Sequence, residues 1–163
     1  MDDDALATLD GIIAKSLARA GEVIRHSFPP EERLTAAEVV EFWGARRLAA
    51  LATVSPARRA HALPLLVYLH GARFYFQSEP EAKKIRDVRA NPAVALVAWS
   101  PDGRIAVMVQ GTAREIPPER RAGLPDALLR DGPYGPAAIV EVTPTRITAK
   151  RGAGARPQGA ARP

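Results

Sequence analysis

Apolar residues in the central part of the chain occur in short runs that end at turn residues, a pattern typical of antiparallel β-structure. The first two runs are Leu48–Val54 and His61–Leu69, followed by the turn signals Ser-Pro and His-Gly. A third run, Arg73–Ser78, alternates with aromatic residues, as a half-buried strand does. The pattern therefore predicts three consecutive strands joined by tight turns.

Three more strands are predicted in the C-terminal half. Ala93–Trp99 is an apolar strand, and Ile105–Ile116 returns as a longer strand in which Gly111 is a candidate bulge. Ala138–Val142 and Arg146–Ala149 form a final strand that we expect to bend at the Thr-Pro pair between them. Short strands joined by tight turns, with one helix inserted midway, favour a mainly β protein, a six-stranded antiparallel barrel with helical additions.

Helices are predicted at four places. Asp4 to about Gly21 has an apolar stripe at spacings of three and four, which could pack on its own barrel or on a partner subunit. Thr35 and Glu38 fit a capping box that starts a second helix. A third helix is expected to open at Glu-Pro-Glu (residues 79–81) and to stop at Asn91-Pro92, and 119–131 is a weak fourth.

Length and composition favour one main globular unit. The chain has 163 residues, of which 47% are hydrophobic. We divide it into an N-terminal amphipathic helical extension (1–33), the barrel (34–149) and a basic tail (150–163) that is expected to be disordered. A basic tail can touch nucleic acid, but the basic residues are not interleaved with exposed aromatics, so nucleic-acid binding is not favoured.

Several classes of site are not expected. The chain has no cysteine, and its three histidines lack metal-ligand spacing, so no metal site is predicted. No stretch is long and apolar enough to span a membrane, and the acidic N-terminus is unlike a signal peptide. We therefore expect a cytoplasmic protein. No nucleophile–base pair or paired carboxylates can be singled out, so the catalytic residues stay unassigned.

A candidate anion site lies where the third strand meets the third helix. Ser78 ends the strand, and Lys83 and Lys84 follow at the start of the helix. Backbone N–H groups, the helix dipole and cations all favour a phosphate at such a position. Ser78 could instead cap the helix, and the lysines could form a solvated helix face. Consecutive helical residues point about 100° apart, so both lysines need not reach one anion equally.

This order of elements resembles the pyridoxamine-phosphate-oxidase-like flavin-binding split-barrel family. The most specific part is the run from Gln77-Ser78 through Lys83-Lys84-Ile85-Arg86 to Asn91-Pro92. The resemblance implies a Greek-key split barrel and a homodimer with the cofactor between the subunits. It also implies that Ser78, Lys83 and Lys84 bind the cofactor phosphate and that the strand containing Ala62–Leu66 runs along the ring. The cofactor-binding candidates are Ala62, Leu63, Pro64, Leu65, Gln77, Ser78, Lys83, Lys84, Arg86 and Trp99.

The function implied is an FMN-binding oxidoreductase that transfers hydride or electrons to or from an unknown small-molecule substrate. The residues that distinguish the true oxidase are missing, because Leu63 and Tyr68 stand where it has an arginine and a lysine. A deazaflavin coenzyme is the second candidate cofactor, since Arg86 and Arg89 could accommodate its longer acidic tail. A haem-binding relative, with His26, His61 or His70 as axial ligand, is a competing hypothesis, and a non-enzymatic flavin-binding module is another. Trp99 could pack in the core instead of on a ring.

Overall fold

The computed structural model describes residues 2–130 and 136–152. Its main feature is a closed barrel of six antiparallel strands, with neighbours in the order β1-β2-β3-β6-β5-β4. The strands are β1 (Arg46–Val54), β2 (Ala60–His70), β3 (Arg73–Ser78), β4 (Ala93–Trp99), β5 (Ile105–Ile116) and β6 (Ala138–Arg151). The mainly β barrel and all six strand positions are confirmed, with ends that differ by one or two residues except in β6.

The described residues include five α-helices in addition to the barrel. They are α1 (Asp3–Ala18), α2 (Glu22–Ser27), α3 (Ala36–Trp43), α4 (Lys83–Ala90) and α5 (Asp126–Leu129), and two short 3-10 segments lie at Pro30–Glu32 and Pro118–Arg120. The capping box that starts α3 is confirmed, with reciprocal bonds between Thr35 and Glu38. Gly44 ends α3 at a φ of 62°, a conformation that favours glycine.

Helix α1 packs on the barrel of its own chain. Leu9 and Ile13 are buried in the same core as the strands. The helix is also tied down by polar contacts, since Ile147 N donates to Ser16 Oγ at 3.0 Å and Ala36 N donates to Asp10 Oδ1 at 3.1 Å. The apolar stripe therefore covers β6 and α3 rather than a partner subunit.

The barrel core is organised around Trp43. Its ring meets Phe74 edge-on at 4.7 Å between centroids, and its Nε1–H donates to Val67 O at 3.0 Å. A buried indole needs such a partner for its N–H, and here α3 gains a fixed position against β2. The expectation that Trp43 belongs to the core is confirmed.

The final strand is continuous through the Thr-Pro pair at which a bend is expected, and a bulge lies there. The register of β5 on β6 shifts between Gln110 and Gly111, which pair with Arg146 and Pro144 and leave Thr145 as an extra residue. Proline lacks the N–H needed for a regular ladder and is tolerated at a bulge, so β6 passes through Pro144 without ending. The bulge predicted at Gly111 is confirmed.

Two helix predictions are corrected. The third predicted helix starts at Lys83 rather than at residue 79, because the residue before Pro80 is disfavoured in the α region and Ala82 is still extended. The weak helix at 119–131 is replaced by the short segment Pro118–Arg120 and one turn, α5. Glycine and proline within this stretch prevent a longer helix. Most of the predicted tail, residues 153–163, lies outside the described residues, but Lys150 and Arg151 belong to β6.

Candidate functional site

The barrel closes between β2 and β3 through a short ladder only, which leaves an opening beside it. These strands pair only at their shared turn, through Tyr68–Tyr75, Leu69–Phe74 and His70–Arg73. Within the described residues, the rest of β2 (60–67) pairs with β1 alone, so its other edge has free backbone N–H and C=O groups. Unpaired strand edges need partners, and this one can hydrogen-bond a flat polar ligand. We call this opening the split.

The candidate ring-binding residues lie on β2 along the split. Ala62 and Pro64 are exposed and alternate with Leu63 and Leu65, which are half-buried. Successive side chains of a strand point to opposite faces, so the two leucines face inward and the other two face outward. Together they offer an apolar wall beside a free backbone edge.

The end of β3 forms the opposite side of the split. Gln77 is half-buried, and its Nε2 donates to Ala127 O and Leu128 O of α5, both at 3.4 Å. Ser78 is also half-buried and pairs with Ala138 of β6. The N-cap of α4 is Ala82, so the capping role considered for Ser78 is wrong and its hydroxyl is left for another partner.

Helix α4 begins with two donors that are free within the described residues. Ile85 N and Arg86 N both donate to Ala82 O, whereas no acceptor lies within hydrogen-bonding distance of Lys83 N or Lys84 N. Free N–H groups at a helix N-terminus carry partial positive charge and favour an anion. The Lys84 side chain is half-buried and forms no ion pair with any described residue.

Lys83 differs from Lys84 because it is paired. Its Nζ lies 3.0 and 2.9 Å from the carboxylate oxygens of Asp87, which also accepts a hydrogen bond from Thr53 Oγ1 at 2.8 Å. Asp87 is almost fully buried. Burial alone raises the pKa of this carboxyl, but the hydrogen bonds from Lys83 and Thr53 and the nearby positive charge outweigh it and hold the pKa below 3.8. Asp87 is therefore a buried anion at neutral pH.

His61 lies beside this anion. Its Nδ1 is 3.7 Å from Asp87 Oδ2, is buried, and has no hydrogen-bond partner within the described residues. The residue is the second of β2 and faces Thr53 across the β1–β2 ladder. The sequence pointed to His61 as a possible haem ligand at the start of the strand expected to pass the ring, and missed Asp87 and Thr53. The spacing of Lys83 and Asp87, four residues apart on a helix, was the signal that could have found the pair.

The other candidates lie further from the split. Arg86 is an exposed residue on α4 without an ion-pair partner in the described chain, whereas Arg89 Nε pairs with Glu115 at 2.9 Å. Trp99 is 54% exposed at the end of β4, so the expectation that it packs in the core is wrong. Of the other two histidines, His26 is exposed on α2 and His70 is exposed at the end of β2.

Two classes of site receive no support from the described residues. No group of three or more metal-ligating His, Asp or Glu residues is found in residues 2–130 and 136–152. Over the same ranges, no helix has the length and hydrophobicity that a membrane span needs.

Residues 35–151 match the family model described as pyridoxamine 5'-phosphate oxidase. The chain belongs to this family. The match covers the whole barrel, the split and α4, which is the extent that the resemblance in the sequence implied. No functionally curated protein matches the sequence.

Solved structures share the fold. A conserved hypothetical protein of Mycobacterium tuberculosis superposes with a TM-score of 0.61 at 18% identity, covering 76% of this chain and 88% of that one. An F420 reductase gives a TM-score of 0.51 at 26% identity, covering 61% and 87%. A FAD-binding protein of Mesorhizobium loti gives 0.55 at 21% identity, covering 74% and 96%.

Proposed function

We propose that the protein binds a flavin-type cofactor in the split and acts as an oxidoreductase on a small-molecule substrate. The observation that carries the proposal is the unpaired edge of β2 together with the free first turn of α4, a helix whose Asp87 lies beside His61 near the start of β2. This edge offers backbone hydrogen bonds to a ring, and α4 offers two free N–H groups and Lys84 to a phosphate. FMN, which has one ring system and one phosphate, fits these two groups of contacts.

The ring side of the site is apolar. Leu63 and Leu65 provide half-buried apolar surface, and the backbone groups of β2 that point away from β1 provide free donors and acceptors, except that Pro64 has no N–H. When bound, the cofactor supplies the capacity to accept and donate hydride or electrons. The residues of this chain bind it, orient it and exclude water, which accounts for the lack of an obvious nucleophile or acid–base pair.

The phosphate side is assigned to Lys84 and Ser78. Lys84 is the unpaired lysine at the first turn of α4, and Ser78 has a hydroxyl that is not used to cap the helix. Lys83 supports the site indirectly, because its ammonium group is held by Asp87. A charge-assisted hydrogen bond from Lys84 to a phosphate oxygen is of the stronger kind found in proteins.

We further propose that the protein is a homodimer with the cofactor at the subunit interface. The outward side chains of three adjacent strands form an apolar face, consisting of Leu48, Ala50, Ala52, Ala62, Pro64, Leu66, Ala95, Val97 and Trp99. Leu48 and Leu66 are direct neighbours across the ladder and are 62% and 46% exposed. Contiguous apolar surface of this kind is typical of an interface. Because β2 contributes to both, the apolar face lies next to the split.

A deazaflavin coenzyme is the second candidate cofactor. The F420 reductase has the same fold, and Arg86 leaves an unpaired cation on α4 for a longer acidic tail. FMN remains the first candidate because the split accounts for its ring and its single phosphate without this additional cation.

The visible absorption spectrum of the purified protein tests the proposal. We expect the flavin band to shift, and flavin fluorescence to change, when FMN is added in titration. The deazaflavin coenzyme and haem are titrated in parallel, each followed by its own absorption band. If neither FMN nor the deazaflavin coenzyme binds, the proposal is overturned. A sharp haem band would instead support the haem-binding hypothesis, with a histidine as axial ligand. Reduction by NADH or NADPH under anaerobic conditions then tests turnover.

A further inference from the structure

The Nδ1 atom of His61 lies in surroundings that favour its protonated form, N–H. Nδ1 is buried and unpaired and faces Asp87 Oδ2 at 3.7 Å, while the side chain as a whole is 35% exposed. An imidazole nitrogen that faces a carboxylate is stable when it carries hydrogen, because a lone pair there would meet the carboxylate lone pairs. The distance is longer than a hydrogen bond, and such contacts can tighten when a ligand binds.

Asp87 is held firmly enough to orient the ring. Its carboxylate accepts from Thr53 on β1 and from Lys83 on α4, so it is fixed from two elements. The Nδ1 side of the ring is therefore directed at an immobile anion. The second nitrogen, Nε2, is not among the buried unpaired atoms and has no partner among the described residues. It is the atom that the ring can offer to a ligand.

The position of His61 lies between the two parts of the proposed site. The residue lies near the start of β2, whose free edge is assigned to the flavin ring. Its side chain approaches Asp87 on α4, whose first turn is assigned to the phosphate. In FMN the ring and the phosphate are joined by a ribityl chain bearing hydroxyl groups. In a ligand that occupies both the ring side and the phosphate side of the site, the ribityl chain must pass the N-terminal end of β2, where His61 lies.

We propose that His61 Nε2 hydrogen-bonds the ribityl hydroxyls of the flavin, and that Asp87 is the positioning residue that fixes the orientation of the His61 imidazole. The inference rests on the proposed function and adds a ligand contact that the sequence motif from Gln77 to Pro92 does not contain. A hydroxyl group donates and accepts, so it matches an imidazole nitrogen in either protonation state.

Binding measurements with three flavins distinguish the contact between His61 and the ribityl chain from the contacts to the flavin ring and to the phosphate. FMN has ring, ribityl chain and phosphate, riboflavin lacks the phosphate, and lumiflavin lacks both chain and phosphate. We expect His61→Phe to weaken FMN and riboflavin by about five- to tenfold, the effect of one hydrogen bond, and to leave lumiflavin unchanged. The matched control is His70→Phe, the same substitution at the exposed far end of β2, which should leave all three affinities unchanged.

Two further variants distinguish positioning from folding. His61→Gln keeps a donor and acceptor and should recover part of the loss for FMN and riboflavin. Asp87→Asn should remove the Nδ1-protonated signature of His61 from the ¹⁵N NMR spectrum while the fold, followed by circular dichroism, persists. Equal losses for all three flavins in His61→Phe, or no loss for riboflavin, would overturn the inference and leave the flavin site standing. If the unmodified protein binds no flavin at all, the proposed function and the inference fail together.

Discussion

Lys83 Nζ lies 3.0 and 2.9 Å from the two carboxylate oxygens of Asp87, one turn further along α4. The pair separates two adjacent lysines that look equivalent in the sequence. Lys83 is held by a buried anion, whereas Lys84 is half-buried and has no ionic partner among the described residues. The two lysines should therefore contribute differently to binding and to stability.

The first prediction concerns cofactor affinity. Lys84→Ala should raise the Kd for FMN by roughly ten- to a hundredfold, because it removes a charge-assisted hydrogen bond of about 1.5–3 kcal/mol. Lys83→Ala should raise it by less, since the Lys83 ammonium group is engaged by Asp87. Flavin fluorescence titration measures both. Lys15→Ala, which removes an exposed lysine from α1, is the control for a general loss of positive charge. A larger effect at Lys83 than at Lys84 would contradict the assignment.

The second prediction concerns the pH dependence of stability. Because the folded-state pKa of Asp87 lies below its usual 3.8, the ionised carboxylate stabilises the folded protein above that pH. The contribution is lost as the pH falls through the lower folded-state value. Asp87→Asn should cost about 1–2 kcal/mol at neutral pH, a figure discounted because the Lys83 side chain is 48% exposed.

Urea unfolding of both proteins between about pH 7 and about pH 3 measures this difference. The difference between the free energies of unfolding of wild type and Asp87→Asn should become smaller towards the acid end of the range. A difference that is constant with pH would assign the cost of the substitution to packing, and not to the charge of Asp87.

The strands could be predicted because each has a local pattern that the barrel preserves. Alternation and turn residues located β1 to β5, and the capping box located α3, since these signals depend on neighbours in sequence. The start of α4 was misplaced because the negative charges at residues 79–81 resemble a helix N-terminus, whereas residues 79–82 form a turn and Ala82 is extended.

The site was predicted less completely because its main features depend on residues far apart in sequence. The split exists because β3 leaves β2 after three pairs, and no local pattern reports where two strands separate. Asp87 and Thr53 are 34 residues apart, and His61 joins them only because β1 and β2 form a ladder. Core packing was the alternative considered for Trp99, yet its outward register exposes it.

The third prediction uses two glycines with opposite surroundings. A Cβ built on Gly111 would lie 2.4 Å from Thr143 O, so Gly111→Ala must displace backbone at the bulge and should destabilise the protein by more than about 2 kcal/mol. Gly11 lies inside α1 with nothing within 4 Å of the added Cβ. Gly11→Ala should stabilise by about 0.5–1 kcal/mol. Thermal and urea unfolding measure both, and equal effects would refute the close contact at Gly111.

The fourth prediction concerns the apolar face. Leu66→Glu puts a charge on this face, next to Leu48, and a charge buried in an interface without a partner is costly. The wild-type protein should sediment as a dimer and the variant as a monomer with an unchanged circular dichroism spectrum. Because β2 borders both the apolar face and the split, the monomer should also bind FMN more weakly.

Val23→Glu is the matched control for this substitution. Val23 is 77% exposed on α2, away from the apolar face, so a charge there should leave the dimer intact. Monomeric wild-type protein would remove the subunit interface from the proposal. A monomeric Leu66→Glu variant that binds FMN as tightly as wild type would show that one subunit supplies all the contacts. We expect weaker FMN binding by the monomer instead. Residues 60–67 of β2 pair only with β1, so only one of the two edges of this strand is covered by its own chain.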